Sequence, residues 1–201
     1  MSCEPTVFIV DDDPAIRHAM EFLMRSVDMK CEIYCSADEF LTAWNAARGG
    51  CLVLDIRMPG MGGLELQECL GERGSSLPII FVTGHADVPM AVDAMQKGAF
   101  DFIQKPFRDQ DLLERIAAAM KTDRLRRIAH ERKSDIGERM ATLTPREREV
   151  MDLVVTGKPN KVVAYELGVS QRTVEIHRAR VMDKMGARSL ADLVRMTLEL
   201  R

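Results

Sequence analysis

Short apolar runs alternate with amphipathic stretches through the first 120 residues of the chain. The apolar runs predict five buried β-strands, at residues 7–10, 31–35, 51–55, 77–83 and 101–105. A helical pattern follows each run, with boundary signals such as Asp13-Pro14 before the first helix and Gly98 after the fourth. Because unbroken apolar strands joined by helices are typical of a parallel sheet covered on both faces, the pattern predicts a doubly wound α/β fold, flavodoxin-like (βα)5.

The rest of the chain has a helical period only. Residues 121–140 are rich in charge and lack aromatic residues, which favours a solvated helical extension or linker that could end at Gly137. Capping residues predict four further helices, starting at Thr144, Asn160, Ser170 and Ser189. We therefore predict an α/β domain at 1–120, a helical linker at 121–140 and a small all-α domain at 141–201.

Charge is distributed unevenly between these segments, although the net charge of the 201 residues is only −3. Residues 1–120 hold 10 basic and 19 acidic residues, whereas residues 141–201 hold 11 basic and 8 acidic residues. The basic tail favours a polyanionic partner. No apolar stretch approaches the roughly 18 residues of a membrane span, the N-terminus lacks the positive start of a signal peptide, and the five cysteines form no CxxC pair. We therefore expect a cytoplasmic protein with reduced thiols and no membrane partner.

Polar side chains follow four of the predicted strands. Asp11 and Asp12 follow the first strand, Asp55 ends the third, and Thr83 and Lys105 end the fourth and fifth. Since ligands bind beyond the carboxyl ends of parallel strands, these side chains predict one site. Clustered carboxylates resist joint ionisation, so the three aspartates should require a divalent cation such as Mg²⁺, and one of them could take up a phosphoryl group. Taken singly, each residue could instead be structural, for example as an N-cap.

The stretches "VDDD", "LDIRMPGMGGLEL", "FVTGHAD" and "FIQKPF" resemble, in order and spacing, the receiver domain of two-component response regulators over residues 5–120. This resemblance implies that Asp55 is the phosphoacceptor. It also implies a Mg²⁺ site in which Asp12 and Asp55 are direct ligands, and Asp11 holds a bound water. The backbone carbonyl of Arg57 would be a further ligand.

The same resemblance assigns residues to the response that follows phosphorylation. Thr83 and Phe102 match a switch pair, in which the threonine moves toward the phosphoryl group and the aromatic ring turns inward. From its charge, Lys105 is expected to pair with Asp55 before modification and to neutralise developing charge. His85 lies where a side chain tunes the lifetime of the phosphoryl group. For Phe102, a simple position in the core is the alternative.

The spacing of residues 160–180 fits a helix-turn-helix, with a turn at Gly168 and a second helix capped by Ser170. In such a motif the second helix enters the major groove, and its N-terminal side chains reach the bases. The candidate contacts are Gln171, Arg172, Thr173, Glu175, Ile176, His177, Arg178 and Arg180, with Lys161 as a phosphate contact. Glu175 could accept from a cytosine amine or merely orient a neighbouring arginine. Core positions on the same helix are predicted at Val174, Val181 and Met185.

The stretches "LTPREREVMDLVVTG" and "NKVVAYELGVSQRTVEIHRARVMDKMGARSLADLVRM" look like the LuxR-type DNA-binding domain. Together with the receiver motifs, they resemble FixJ-like regulators over nearly the whole chain. The resemblance implies a transcription regulator that a sensor histidine kinase phosphorylates, and that binds promoter DNA as a homodimer and contacts RNA polymerase. Receivers would pair through the fourth helix and fifth strand, at about 88–107. Such a protein accepts a phosphoryl group but is not a turnover enzyme.

Two other functions are compatible with the same residues. The acidic site could belong to a Mg²⁺-dependent phosphohydrolase. Such enzymes commonly carry a second acid two residues after the nucleophile, where this chain has Arg57. The other alternative keeps the receiver and makes the helical tail a protein-binding bundle. Sustained turnover of phosphoesters would favour the first alternative, and absence of DNA affinity in both phosphorylation states would favour the second.

Overall fold

The structure is a computed structural model that describes residues 4–84 and 88–200, except for the side chain of Val88. It divides into two compact units, Met1–Arg127 and Ile128–Arg201. Each unit contains its own clusters of buried apolar side chains. Within the described residues, no helix combines the length and the apolar composition needed to cross a membrane.

A five-stranded parallel sheet forms the centre of the first unit. Its strands are β1 (Thr6–Val10), β2 (Cys31–Tyr34), β3 (Gly50–Leu54), β4 (Ile79–Thr83) and β5 (Asp101–Gln104). They lie in the order β2-β1-β3-β4-β5, and every neighbouring pair is parallel. The predicted doubly wound α/β fold is therefore confirmed.

Helices cover both faces of this sheet. They are α1 (Pro14–Ser26), α2 (Ala37–Ala43), α3 (Gly63–Glu72), α4 (Val88–Gln96) and α5 (Asp109–Ala141). Phe8 and Phe81 belong to the cluster on one face, and Val7 and Leu112 belong to the cluster on the other. Because both faces are covered, β1, β3 and β4 are buried along their whole length, which explains their unbroken apolar sequences.

Helix α5 differs from the prediction for residues 121–140. It runs for 33 residues without a break, so Gly137 does not end it. The segment is also not fully solvated, because Asp123 is 3% exposed in the first unit and Ile136 is 2% exposed in the core of the second. Tertiary contacts, which a charge pattern does not reveal, explain both differences.

Four helices follow α5 in the described part of the second unit: α6 (Pro145–Val154), α7 (Asn160–Leu167), α8 (Gln171–Met185) and α9 (Leu190–Glu199). Predicted caps are confirmed at Thr144, Ser170 and Ser189, whose hydroxyls each accept from the backbone N–H three residues later. Asn160 is not a cap, because Pro159 holds that position and Asn160 is the first helical residue. The predicted core positions of α8, Val174, Val181 and Met185, are all buried.

Candidate functional site

The first candidate site lies where the order of the strands reverses. The chain leaves β1 toward β2 on one side and leaves β3 toward β4 on the other, so a crevice opens between the carboxyl ends of β1 and β3. Val10 and Leu54 are the last paired residues of these strands. Asp11 and Asp55 follow them directly, and Asp55 N donates to Val10 O at 2.9 Å. The sheet therefore brings two carboxylates to one point.

Lys105 joins these two carboxylates. Its Nζ donates to Asp11 Oδ2 at 2.7 Å and to Asp55 Oδ1 at 3.1 Å. The aspartate side chains are only 3% and 8% exposed, and the lysine side chain is 20% exposed. Asp55 Oδ2 accepts from Arg57 N at 2.7 Å, so both oxygens of this carboxylate are oriented.

Burial and charge oppose each other at this site. Burial raises the pKa of Asp55, the hydrogen bonds and charge of Lys105 partly offset that rise, and the charge of Asp11 adds to it. Burial alone would lower the pKa of Lys105, but its bonds to the two carboxylates raise that pKa overall. The ionised form of Asp55 is therefore held against a desolvation cost, so a further cation beside it would be stabilising.

The loop after β3 lets helix α3 begin against the site. A Cβ atom on Gly63 would lie 2.3 Å from the backbone oxygen of Asp55, so only glycine permits this approach. Glu65 in the first turn accepts from Gly62 N at 2.9 Å. Gly60 has a φ of +75°, which the turn after Pro59 requires. The glycines of this loop thus hold backbone, rather than side chains, next to Asp55.

The structure does not gather all three predicted aspartates. Asp12 is exposed and makes no hydrogen bond or ion pair within the described part of the chain. Among the described residues, no three acidic, histidine or cysteine side chains are grouped as a metal site. In this conformation Lys105 lies between the two buried carboxylates and offsets one of their two negative charges.

The remaining predicted residues of this site lie around the same edge of the sheet. Thr83 is buried at the end of β4. Phe102 on β5 is half-buried and packs against the core cluster that contains Phe8. The Lys105–Pro106 peptide is cis. His85 lies outside the described residues.

One residue that contacts this site was missed by the sequence reasoning. Arg17 Nη1 donates to the backbone oxygen of Asp11 at 2.7 Å. Asp11 Oδ1 also accepts from Asp13 N at 2.9 Å. Arg17 lies one turn after the predicted cap Asp13, but its bond to Asp11 joins a turn to a helix, so no periodic pattern in the sequence indicates it. The two bonds fix the turn that buries Asp11.

The second candidate site is the pair α7 and α8. Gly168 ends α7 in the left-handed conformation with a φ of 64°, and Ser170 Oγ accepts from Thr173 N at 3.1 Å at the start of α8. This short connection is the predicted turn of a helix-turn-helix. Arg178 Nη1 donates to Asn160 Oδ1 at 3.0 Å and so links the two helices.

The predicted DNA contacts differ in how accessible they are. Lys161 and Arg172 are exposed, whereas Thr173, Glu175, His177 and Arg178 are half-buried. Arg172 Nη1 lies 3.5 Å from Glu175 Oε2, which matches the alternative in which Glu175 orients an arginine. His177 Nδ1 is buried without a hydrogen-bond partner among the described residues. Of these half-buried side chains, Arg178 connects α8 to α7 through its bond to Asn160.

Two family models match the chain. The response regulator receiver domain matches residues 7–117, and the bacterial regulatory proteins of the luxR family match residues 141–197. The two matched segments correspond to the two candidate sites, because the first contains Asp11, Asp55 and Lys105 and the second contains α7 and α8.

Relatives and solved structures agree with these matches. Nodulation protein W of Bradyrhizobium diazoefficiens is 48% identical over 196 residues, which are 98% of this chain and 86% of that protein. The transcriptional regulatory protein FixJ of Azorhizobium caulinodans is 44% identical over 192 residues, which are 96% of this chain and 91% of that protein. The low-resolution structure of the response regulator StyR is 42% identical with a TM-score of 0.91, and covers 98% of this chain and 100% of that one.

The chain belongs to the response regulators that join a receiver domain to a LuxR-type DNA-binding domain. Within this class it is a FixJ-like regulator, and its function is phosphorylation-dependent regulation of transcription. The two domains imply a sensor kinase and DNA as partners. Receiver domains generally depend on Mg²⁺, and the family consists of transcription regulators rather than typical enzymes.

Proposed function

We propose that Asp55 accepts a phosphoryl group from a phosphohistidine of a sensor kinase. A carboxylate oxygen of Asp55 forms a bond to phosphorus, the nitrogen–phosphorus bond breaks, and the histidine nitrogen keeps the bonding electron pair and later takes a proton. The observation that carries this assignment is the position of Asp55 at the end of β3, with one oxygen held by Lys105 Nζ at 3.1 Å and the other by Arg57 N at 2.7 Å. Lys105 would stabilise the charge that develops on the transferring oxygens.

A Mg²⁺ ion fits the chemistry of this site. Asp11, Asp12 and Asp55 carry three negative charges and Lys105 carries one positive charge, so a divalent ion would balance the excess. Asp12 and Asp55 would be direct ligands, together with the backbone carbonyl of Arg57, and Asp11 would hold a bound water. When bound, the ion would neutralise charge on the phosphoryl oxygens.

Phosphorylation would then shift the receiver between two conformations. The hydroxyl of Thr83 would bond the phosphoryl group, and Phe102, which is half-buried, would turn inward. The pairing of receivers through residues 88–107 is supported by the exposure of Val92 and Met95, which are 47% and 45% exposed on α4. Such an apolar surface would favour a homodimer on phosphorylation.

The tail would bind promoter DNA in the cytoplasm. Lys161 would contact phosphate, while Arg172, Thr173 and Glu175 lie on the first turn and a half of α8, the part of a recognition helix that reaches bases. His177 and Arg178 would contribute from the next turn, with Arg178 oriented by its bond to Asn160. We divide the chain accordingly into a receiver at 1–120, a linker at 121–140 and a DNA-binding domain at 141–201, the last of which would also contact RNA polymerase.

The variant Asp55→Asn tests this proposal, with Asp38→Asn as a control because Asp38 is an exposed carboxylate on α2. Each full-length protein is incubated with acetyl phosphate and Mg²⁺, and mass spectrometry locates the added phosphoryl group. DNA affinity is measured on the same samples, with binding sites obtained by selection from random duplexes. We expect Asp55→Asn to lose both the modification and the gain in DNA affinity, and the control to keep both. Modification of another residue, or an undiminished gain in Asp55→Asn, would refute the assignment.

A further inference from the structure

A buried acid on α5 contacts the sheet at the end opposite to Asp55. Asp123 is 3% exposed, and its Oδ2 accepts from Gly50 N at 2.9 Å. Gly50 is the first residue of β3 and Asp55 follows the last, so at about 3.3 Å per residue roughly 16 Å of strand separates them. Asp123 therefore takes no part in the chemistry at Asp55.

Two arginines of α5 extend this contact. Arg127 donates to the carbonyl oxygen of Ala46 at 3.4 Å and, through a shorter bond, to that of Ala47. Arg126 Nη1 donates to Ser76 O at 3.4 Å. The loops before β3 and β4 are thus both bonded to the same turns of the helix.

The loop before β3 is shaped to admit the helix. A Cβ atom on Gly49 would lie 2.9 Å from Asp123 Oδ2 and 3.1 Å from Arg127 Cδ. Gly50 has a φ of +147°, and a Cβ atom there would lie 1.8 Å from Thr6 O. Larger residues at either position would move the helix or the strand. The glycine pair and the polar side chains of α5 therefore form a single contact.

This contact lies at the C-terminal end of the part of α5 that belongs to the first unit. Leu112, Ile116 and Ala119 lie in the core of that unit. Beyond them, the apolar residues Leu125 and Ile128 are 58% and 50% exposed, so packing of these side chains does not hold the helix. The attachment there depends on polar groups. Burial of Asp123 raises its pKa, and the hydrogen bond from Gly50 N–H and then the charges of Arg127 and Arg126 only partly offset this rise. A buried charge is costly, so packing alone does not account for an acid at this position.

We propose that Asp123, bound to Gly50 N–H, and Arg127 form a joint that fixes α5 to the receiver and couples phosphorylation to DNA binding. Since α5 continues unbroken to Ala141, and Ile136 lies in the core of the second unit, a rigid attachment at the joint lets the helix pass a change in the receiver to that unit. Asp123 is thereby a positioning residue. The coupling role rests on the phosphorylation proposed above.

The test compares Asp123→Ala and Arg127→Gln with Arg124→Gln, whose residue is exposed on the same helix without a described hydrogen bond or ion pair. Full-length proteins are treated with acetyl phosphate and Mg²⁺. The rate of modification at Asp55 and the ratio of DNA affinities with and without modification are measured. Hydrogen exchange over residues 121–133 reports the attachment itself in the unmodified proteins.

We expect modification rates within about twofold of the unaltered chain in all three variants. The affinity ratio should fall at least fivefold in Asp123→Ala and less in Arg127→Gln, with faster exchange over 121–133 in both, and Arg124→Gln should match the unaltered chain. If Asp123→Ala does not fold, Arg127→Gln decides the question, because its exposed contacts leave the core intact. If modification is normal but the affinity ratio and the exchange are both unchanged, the proposed joint is refuted and the proposed function is not affected. Absence of modification in the unaltered chain would refute the proposed function and the coupling role with it.

Discussion

Replacing Lys105 by methionine removes the cation that separates two buried carboxylates. The lysine Nζ lies 2.7 Å from Asp11 Oδ2 and 3.1 Å from Asp55 Oδ1, so these oxygens are at most 5.8 Å apart, the sum of the two distances. At that separation and an effective dielectric constant of about 20, two unit charges repel by about 3 kcal/mol. Loss of one partner of a buried pair costs about 3–5 kcal/mol, and the 20% exposure of Lys105 reduces this figure.

We therefore expect Lys105→Met to lower the free energy of unfolding of the first unit by about 2–4 kcal/mol at pH 7 without divalent ions. Urea unfolding can be followed through the fluorescence of Trp44, the only tryptophan of the sequence, which packs against the core of that unit. Addition of Mg²⁺ should recover part of the loss, because the ion supplies the missing positive charge. The pKa of Asp55, which burial already raises, rises further without the lysine. The loss should therefore shrink as the pH falls through that raised pKa.

The matched control is Lys97→Met. Lys97 has ion pairs of 2.8 Å with both Glu68 and Asp93, but its side chain is 38% exposed. Exposed pairs contribute about 0–1 kcal/mol, so this variant should unfold almost like the unaltered chain. If Lys105→Met proved as stable as Lys97→Met, and Mg²⁺ shifted neither curve, the electrostatic account of the site would be wrong.

Three further predictions concern other parts of the chain. The hydrogen bond from Lys184, followed by that from the backbone N–H of Thr144, lowers the pKa of Glu147 from 4.5 to about 2. The stabilisation that ionised Glu147 contributes is therefore complete above pH 4.5 and is lost as the pH falls toward 2. Melting curves of Glu147→Gln should lack this loss at acid pH. Gly63→Ala should destabilise by about 1–3 kcal/mol in urea unfolding. The control is Gly71→Ala, whose new Cβ would have no described atom within 4 Å apart from its chain neighbours and the backbone of its own helix, and it should stabilise by up to about 1 kcal/mol. Lys161→Ala should weaken binding to all DNA sequences alike and reduce the salt slope by about 1, and a sequence-selective loss would contradict a phosphate contact.

Strand ends made the first site predictable. A strand buried on both faces is apolar, so a charged residue at its exit stands out in the sequence, as Asp55 does after β3. The sequence does not reveal which of the adjacent residues Asp11 and Asp12 turns inward. That choice depends on the backbone after β1, where Arg17 holds the carbonyl of Asp11 at 2.7 Å. A bond between residues six apart on a turn and a helix has no simple signature in periodicity.

The helices also have some features that the sequence predicts and others that it does not. The buried positions of α8 follow from a period of 3.6 residues, so Val174 and Val181 were identified correctly. Gly137 is a possible helix end in the sequence, and glycine weakens an isolated helix by about 1 kcal/mol. In α5 this cost is outweighed by tertiary packing, since Ile136 next to it is buried. Local preference therefore locates elements well and locates their ends less well.

The receiver buries acids at both ends of β3, and each arrangement has a physical consequence. At the carboxyl end, Asp11 and Asp55 are stabilised by one lysine, so a change in the charge of Asp55 alters the balance of all three groups. At the amino end, Asp123 is held by a single backbone N–H, so its bond depends on where the first residue of β3 lies. Apolar residues at either place would serve stability equally well or better. If Asp55 is the phosphoacceptor, as proposed, the buried charges make one end of β3 sensitive to a phosphoryl group. The bond of Asp123 makes the other end sensitive to the position of the strand, and α5, which carries Asp123, continues to Ala141.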